Sequence, residues 1–290
     1  LSLKGLVKYS EGDRDTGWSL SLQGYHARWN ATDQVPERAI ASGLISRFGN
    51  IDPALGGRTT RIGLTANGAF GGTQVTGYAT WYDFLLTSNF TYVLNDPTHG
   101  DELQQADRRG IFGGSLRHAF APTALAGVPL QFTIGADARW DHIIRVGLYS
   151  SIAGVRSGTI RQDRVDEYSG ALYGEAMAAL TDRLRLTLGL RGDLYGWDVN
   201  ATSLPVNSGT GSDAIVSPKF ALAWRAGDHV ELYANYGEGF HSNDVRGATI
   251  RIDPATGDPA AQVPVLVKAR GAELGARVET GRLTASLVGF

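Results

Sequence analysis

The chain has 290 residues, with 27 basic and 29 acidic side chains, a formal net charge of −2 and no cysteine. This near-neutral balance does not support the polybasic surface typical of nucleic-acid binding. The lack of cysteine excludes disulfides, thiolate metal sites and a cysteine nucleophile.

The two ends of the sequence give a first expectation about its organisation. Leu1 is not followed by a positively charged segment and an apolar stretch, so no signal peptide is predicted. No run of about 18 apolar residues predicts a transmembrane helix. The alternating pattern of residues 284–290 still continues at the last residue. We therefore expect a fragment of a longer protein.

Apolar and polar residues alternate along most of the chain, which is typical of strands with two different faces. In residues 183–195 one face would carry Leu184, Leu186, Leu188 and Leu190, and the other Arg185, Thr187, Arg191 and Asp193. About twelve such segments are predicted, at residues 1–10, 17–28, 58–70, 74–85, 107–119, 128–144, 163–180, 183–198, 215–226, 229–239, 269–280 and 282–290. Most have the ~9–11 residues of a tilted membrane-spanning strand, rather than the ~5–6 of a globular strand.

The links between these segments alternate between short and long. Short links fall at residues 11–16, 71–73, 181–182 and 227–228 and around Gly281, a moderate one at 120–127, and long ones at 29–57, 86–106, 145–162, 201–214 and 240–268. Tight turns at one rim and long loops at the other are typical of an up-and-down membrane barrel. Structureless loops of ~20 residues argue against a compact soluble domain.

A closed barrel would present its apolar face to lipid and its charged face to a hydrated interior. Aromatic residues near segment ends are predicted to form the interfacial girdles, namely Trp18, Trp81, Tyr82, Trp140, Tyr149, Tyr195, Trp197 and Trp224. The same alternation also describes a soluble antiparallel sheet with one solvated face. A β-solenoid or propeller is a third reading, although no repeat of fixed period is visible.

Several motifs point to one family. Ser217, Pro218 and Lys219 open one segment, residues 231–247 read ELYANYGEGFHSNDVRG, and residues 269–275 read ARGAELG. This stretch resembles the late barrel of TonB-dependent outer-membrane receptors, with Arg270 where that family usually has lysine. Residues 29–36, 88–92 and 189–193 are similar to one branch of the same family.

The resemblance implies an all-β, antiparallel up-and-down transmembrane β-barrel. Such plugged transporters have about 22 strands, so about twelve strands would make residues 1–290 a partial barrel domain that lacks the plug domain and the final strands. It further implies the outer membrane of a Gram-negative bacterium, with membrane lipid around the barrel. The expected function is TonB-dependent uptake of a scarce nutrient, most often a ferric siderophore, with the TonB complex acting through the missing plug. The alternative is a passive porin-like or structural outer-membrane barrel.

Candidate ligand contacts lie in two of the long loops. His241, Asn243, Arg246 and Arg251 in residues 240–268, and Trp29 and Arg38 in residues 29–57, could attract an anionic ferric chelate, because arginine suits bidentate oxygen groups. The other reading is that the first loop's polar residues only order the loop mouth.

No catalytic or resident metal site is predicted, and no cofactor is implied. The six histidines show no H-x-x-x-H spacing, and no G-x-S-x-G elbow occurs. Ser115 and His118 would point to opposite faces of one strand. Asp137 and Asp141, which flank Arg139, fit a charge ladder better than a glycosidase pair. An outer-membrane hydrolase is therefore a weak rival, and we expect no enzyme.

Overall fold

A computed structural model describes residues 1–13 and 15–290, and these form one antiparallel sheet. The strands are β1 (Ser2–Gly12), β2 (Gly17–Asn30), β3 (Gly56–Phe70), β4 (Thr73–Ser88), β5 (Leu103–Ala119), β6 (Thr123–Leu125), β7 (Val128–Ile152), β8 (Val155–Thr181), β9 (Leu184–Asn200), β10 (Gly209–Arg225), β11 (Val230–Ser242), β12 (Leu266–Glu279) and β13 (Thr284–Gly289). Two short helices, α1 (Glu37–Ala41) and α2 (Val245–Thr249), and a 3₁₀ turn at Pro205–Asn207 lie in the connections.

Each long strand pairs with its sequence neighbours, and the short β6 pairs only with β7. The predicted all-β, antiparallel up-and-down architecture is confirmed, with thirteen strands where about twelve were expected. In the part of the chain that the structure describes, β1 pairs only with β2 and β13 only with β12, so the sheet is open. No described helix is both long enough and apolar enough to cross a bilayer.

The β7–β8 connection differs from the prediction. Instead of a long loop at residues 145–162, β7 and β8 continue to a tight turn at Ala153 and Gly154, both with positive φ. The ladder shifts register after Ile143, Leu148 and Ser150. A bulge moves the following side chains to the other face. The period-two pattern was therefore interrupted in a segment that is nevertheless paired.

The two faces of the sheet differ sharply in chemistry. One, here called the apolar face, carries large exposed side chains on successive strands, including Leu22, Leu64, Leu116, Leu172 and Leu190. Leu188 and Leu190 are 49% and 58% exposed, so no second layer covers them. The other, here called the polar face, carries most of the strand charges. Because an Arg or Lys facing mid-bilayer lipid costs about 2–4 kcal/mol, this division suits lipid on the apolar face.

The predicted aromatic girdles are correct in part. Trp18, Trp81, Trp140 and Trp224 are exposed among the leucines of the apolar face. By contrast, Tyr82, Tyr195 and Trp197 have the register of the polar face, and Tyr149 is fully buried beneath Arg156. Closeness to a strand end does not determine the face, because a one-residue step reverses it.

Tyrosine rings on the polar face lie over glycines of the neighbouring strand. Tyr173 is paired in register with Gly135 and Tyr233 with Gly275. A Cβ atom at either glycine would overlap the ring opposite. These pairs fill the space beside each glycine and cover backbone that a bare glycine would expose.

Candidate functional site

The middle of the polar face carries a row of ion pairs across β7, β8, β9 and β10, here called the charge ladder, in which Lys219 on β10 pairs with Glu175 on β8 at 2.8 Å. The Arg191 guanidinium bonds Asp193 on its own strand at 2.9–3.0 Å and Asp137 on β7 at 2.6 Å. Arg139 bonds Asp141 at 2.6 and 2.9 Å. Residues two apart on a strand share a face, so each Arg-x-Asp sequence places its two side chains in contact. The ladder presents fixed, mutually compensated charges to the space above the polar face.

The loop at residues 243–265 folds over the polar face, here called the α2 loop. Asp244 caps α2, accepting from the Arg246 backbone N–H at 2.9 Å, and its carboxylate pairs with the Arg246 guanidinium at 2.5 Å. Arg246 also lies 3.5 Å from Asp163 on β8, which is 1% exposed and accepts from Arg161 at 2.6 Å. This network attaches the α2 loop to the sheet through charge.

The charges of this network stabilise each other. Partial burial raises the pKa of Asp244, but its hydrogen bonds to Arg246 outweigh that effect and lower the pKa. Burial acts to lower the pKa of Arg246, and the Asp244 and Asp163 carboxylates more than reverse it. Both groups therefore stay charged at neutral pH. Arg246, only 21% exposed in its side chain, is already fully engaged by protein carboxylates.

An apolar cluster lies beneath the α2 loop. Val245 and Val265 pack on Ile143, Val165 and Val199 of the sheet, and all five are nearly fully buried. Full burial of each aliphatic side chain stabilises the folded state by about 1.5–3 kcal/mol before entropic costs. Apolar packing therefore holds the α2 loop on the sheet in addition to its ion pairs.

Asn207, in the 3₁₀ turn, fixes the far end of the α2 loop. Its side chain is 1% exposed, donates to the Ile252 carbonyl at 2.8 Å, and accepts from the backbone N–H groups of Arg251 and Ile252 at 2.8 and 3.0 Å. These three bonds satisfy the amide almost completely. They join residues 201–208 to the α2 loop.

A second group of loops forms at the other end of the same rim, from residues 31–55 and 89–102. The Asn89 N–H donates to Asp33 at 2.5 Å, its amide donates to Asp52 at 3.0 Å, and the Tyr92 hydroxyl donates to the Gln34 carbonyl at 3.1 Å. Tyr92 has a φ of +59°, a conformation uncommon for an aromatic residue. Burial, with Asp33 and Asp52 nearby, raises the pKa of its hydroxyl.

These loops enclose a groove of about 700 Å³, here called the loop groove. This volume is within the range of small-molecule sites. The lining is mostly apolar and comprises Gln34, Val35, Pro36, Arg38, Ala39, Ser42, Leu44, Ile51, Phe90, Thr91, Tyr92 and Val93. Of these, only Arg38 carries a charge at neutral pH, and it is exposed. The groove could accept an apolar body with one anionic group beside Arg38.

The six predicted ligand contacts fall into two groups. His241 Nε2 lies 3.2 Å from Asn243 Oδ1, and Asn243 donates to the Pro264 carbonyl at 2.8 Å. Arg246 and Arg251 belong to the same loop, and Arg251 is exposed. Arg38 lies in the loop groove instead. Trp29 packs on Phe84, with ring centroids 6.4 Å apart.

Arg246 and Asn243 are engaged within the protein, in agreement with the alternative reading that they order the loop mouth. His241, Arg251 and Arg38 remain open for contact. Asp163 and Asn207 could not be recognised from the sequence, because each contacts residues more than 40 positions away. The Arg-x-Asp spacing of Arg161 and Asp163 is the one signal that could have pointed to the former.

Within residues 1–13 and 15–290, no cluster of three or more His, Asp or Glu side chains is arranged to hold a metal ion. The ion pairs of the charge ladder and of the α2 loop join cations to carboxylates, rather than bringing several carboxylates to one point.

The antiparallel sheet, its apolar and polar faces and the loops at one rim are those of the wall of a membrane β-barrel. A family model described as TonB dependent receptor-like, beta-barrel matches residues 2–290, and the chain therefore belongs to the TonB-dependent receptor family. The resemblance noted in the sequence is confirmed. A comparison with curated proteins found no match.

Solved structures share the fold. The ferric citrate transporter FecA, in unliganded form, aligns with a TM-score of 0.76 and 16% identity over 98% of this chain and 42% of its own. For the copper transporter OprC the values are 0.70, 15%, 98% and 44%. For BauA, the ferric preacinetobactin receptor of Acinetobacter baumannii, they are 0.70, 14%, 99% and 46%. The chain thus spans less than half the length of each of these proteins.

Proposed function

We propose that this chain is part of the barrel wall of an outer-membrane receptor that takes up a scarce nutrient, a ferric siderophore, in a Gram-negative bacterium. The observation that carries the proposal is the family match over residues 2–290. FecA is a ferric citrate transporter and BauA a ferric preacinetobactin receptor. OprC is a copper transporter. The choice of iron as the transported metal therefore belongs to the proposal.

The division of labour follows from the two faces. The apolar face would contact membrane lipid, and the charge ladder would face a plug domain in the barrel interior. Energy for uptake would come from the TonB complex acting on that plug. The loop groove and the exposed side chains of His241 and Arg251 would contribute to ligand capture at the long-loop rim. None of these roles requires this chain to be an enzyme.

The experiment is uptake of radiolabelled ferric chelates under iron limitation. Three strains are compared: the parent strain, a strain without the full gene that encodes this chain, and a strain without TonB. Loss of uptake of one chelate in both deletions is the expected result. Uptake that is lost with the gene but unchanged without TonB would favour the passive porin-like barrel, and unchanged uptake of every ferric chelate would remove iron as the nutrient. A parallel measurement with copper tests the other metal.

A further inference from the structure

Two arginines stand directly opposite each other on the apolar face. Arg28 on β2 is paired in register with Arg58 on β3. Arg28 is an even number of residues from the exposed Trp18, Leu20 and Leu22, so it lies on the same face of β2. Arg58 likewise lies on the face of β3 that carries Ile62 and Leu64. No register shift interrupts the pairing of these two strands, so both side chains leave the sheet on the side that carries the leucines.

This juxtaposition is unfavourable unless something compensates it. Directly opposed residues of an antiparallel pair have Cβ atoms about 4.5–5.5 Å apart, and like charges there are destabilising. Both side chains are exposed. Across residues 1–13 and 15–290, neither arginine has an ion-pair partner. The nearby carboxylate Asp83, on β4, is taken by Arg108. The local surplus of positive charge is therefore left for an anion outside the chain.

The height of the pair identifies the environment of that anion. Arg28 lies ten residues along β2 from Trp18, or ~33 Å along the strand at ~3.3 Å per residue. A tilt of ~35–45° reduces this to roughly 25 Å along the membrane normal, which is about the height of the apolar band of such barrels. The outward positions between them on β2, namely Leu20, Leu22, Gly24 and His26, carry no permanent charge. The two arginines thus lie at the edge of the hydrocarbon layer, on the side of the long-loop rim.

We propose that Arg28 and Arg58 together bind a phosphate group of a lipid headgroup in the leaflet at the long-loop rim. Two guanidinium groups can each present paired N–H donors to phosphate oxygens, and one phosphate between them would remove the repulsion. Exposure on the lipid side places the site away from the loop groove and the α2 loop. The proposal depends on the membrane location that the proposed function assumes, but not on any particular nutrient.

The test is native mass spectrometry of the full-length protein in detergent, titrated with purified diphosphoryl lipid A. The wild type should bind lipid A, and R28Q/R58Q should bind it at least about tenfold more weakly. The charge-conserving R28K/R58K should retain most of the affinity. Arg183→Gln, at an equally exposed arginine in the turn of the opposite rim, should leave it unchanged.

Equal binding by the wild type and R28Q/R58Q would overturn the proposal. So would displacement of lipid A by millimolar inorganic phosphate, because the pair would then be a site for free anions. Iron uptake measured on the same variants keeps the two ideas apart. The lipid site can fail while uptake persists, and uptake can fail while lipid binding remains.

Discussion

The guanidinium of Arg191 on β9 reaches across β8 to the carboxylate of Asp137 on β7, at 2.6 Å. The same guanidinium bonds Asp193, which is 4% exposed. One cation thus pairs with two carboxylates on different strands and joins β7 to β9 by side chains across the intervening β8. Without it, a nearly buried carboxylate would face the barrel interior alone.

Arg191→Met should therefore lower the free energy of unfolding by about 2 kcal/mol, since it leaves a buried carboxylate unpaired. The measurement is guanidinium unfolding of the full-length protein in detergent, followed by tryptophan fluorescence. Arg185→Met is the matched control, because Arg185 pairs with Glu231 at 3.1 Å with its side chain 55% exposed. That change should cost about 0–1 kcal/mol. Equal effects of the two substitutions would show that the ladder adds no special stability.

Gly135→Val should destabilise the barrel by about 1–3 kcal/mol, the usual cost of overpacking. Any Cβ at Gly135 overlaps the Tyr173 ring across the strand. Gly24→Val is the control, because nothing lies within 4 Å of a Cβ at Gly24. The measurement is the guanidinium chloride concentration at the midpoint of unfolding, with the slope of the transition unchanged. If Gly24→Val is as harmful as Gly135→Val, the cause is glycine replacement in general and not the ring.

Asp163→Asn should release the α2 loop without unfolding the sheet. Asp163 is the buried anion that Arg161 and Arg246 share, and its neutralisation leaves two guanidinium groups without a full counter-charge. Limited trypsin digestion should then cleave after Arg246, with the fragments identified by mass spectrometry. Asp258→Asn, at an exposed position of the same loop, should leave cleavage as in the wild type. Protection of Arg246 in the Asp163→Asn protein would show that apolar packing alone holds the loop.

The loop at residues 89–102 should loosen only at strongly acidic pH. A hydrogen bond from Thr91, and further ones from backbone N–H groups of Asn95 and Asp96, lower the pKa of Asp101. A lowered folded pKa means that the carboxylate stabilises the loop at every pH above the unfolded aspartate value of about 3.9. The contribution is lost as the pH falls below that value and through the lower folded pKa.

Hydrogen exchange of residues 89–102, corrected for intrinsic rates, would measure this between about pH 5 and about pH 2. Protection should persist until below the usual aspartate range. Asp101→Asn should exchange rapidly at every pH. Loss of protection in the wild type near about pH 5 would contradict the assignment of Asp101 as the organising carboxylate.

Arg38→Gln should weaken capture of an anionic ferric chelate about tenfold, if the loop groove contributes to the proposed uptake, because a charge-assisted hydrogen bond is worth about 1.5–3 kcal/mol. Arg47→Gln is the matched control. It removes an exposed arginine from the same loop, but one that does not line the groove. Equilibrium binding to cells that express the full-length receptor gives the two affinities. The same affinity for both variants would move the ligand contact elsewhere.

Much of the fold was predictable because period-two alternation is a local property of the chain. Leu184 to Leu190 already identified the apolar face of β9. The pattern failed where the local rule itself is broken, at the bulges of β7 and β8. It also failed for Tyr82 and Trp197, because the face of each residue follows from the pairing register of its strand and not from its closeness to the strand end.

The site was less predictable because its contacts join distant segments. An Arg-x-Asp pair such as Arg191 and Asp193 can be read from spacing. The approach of Asp163 to Arg246 depends on how the α2 loop lies over the sheet, which no local pattern encodes. The loop groove likewise requires two loops to meet, and its apolar residues Leu44 and Phe90 carry no signal of their own.

The extended β7–β8 hairpin has a consequence for the two groups of loops. Its tip meets one group, where the Gly154 N–H donates to Glu102 at 2.9 Å, and its flank meets the other, where Asp163 approaches Arg246. It therefore lies between the two groups of loops along the long-loop rim. A small chelate held on one side would not touch the other, and substitutions at Arg38 and His241 should then change its binding free energy independently rather than in concert.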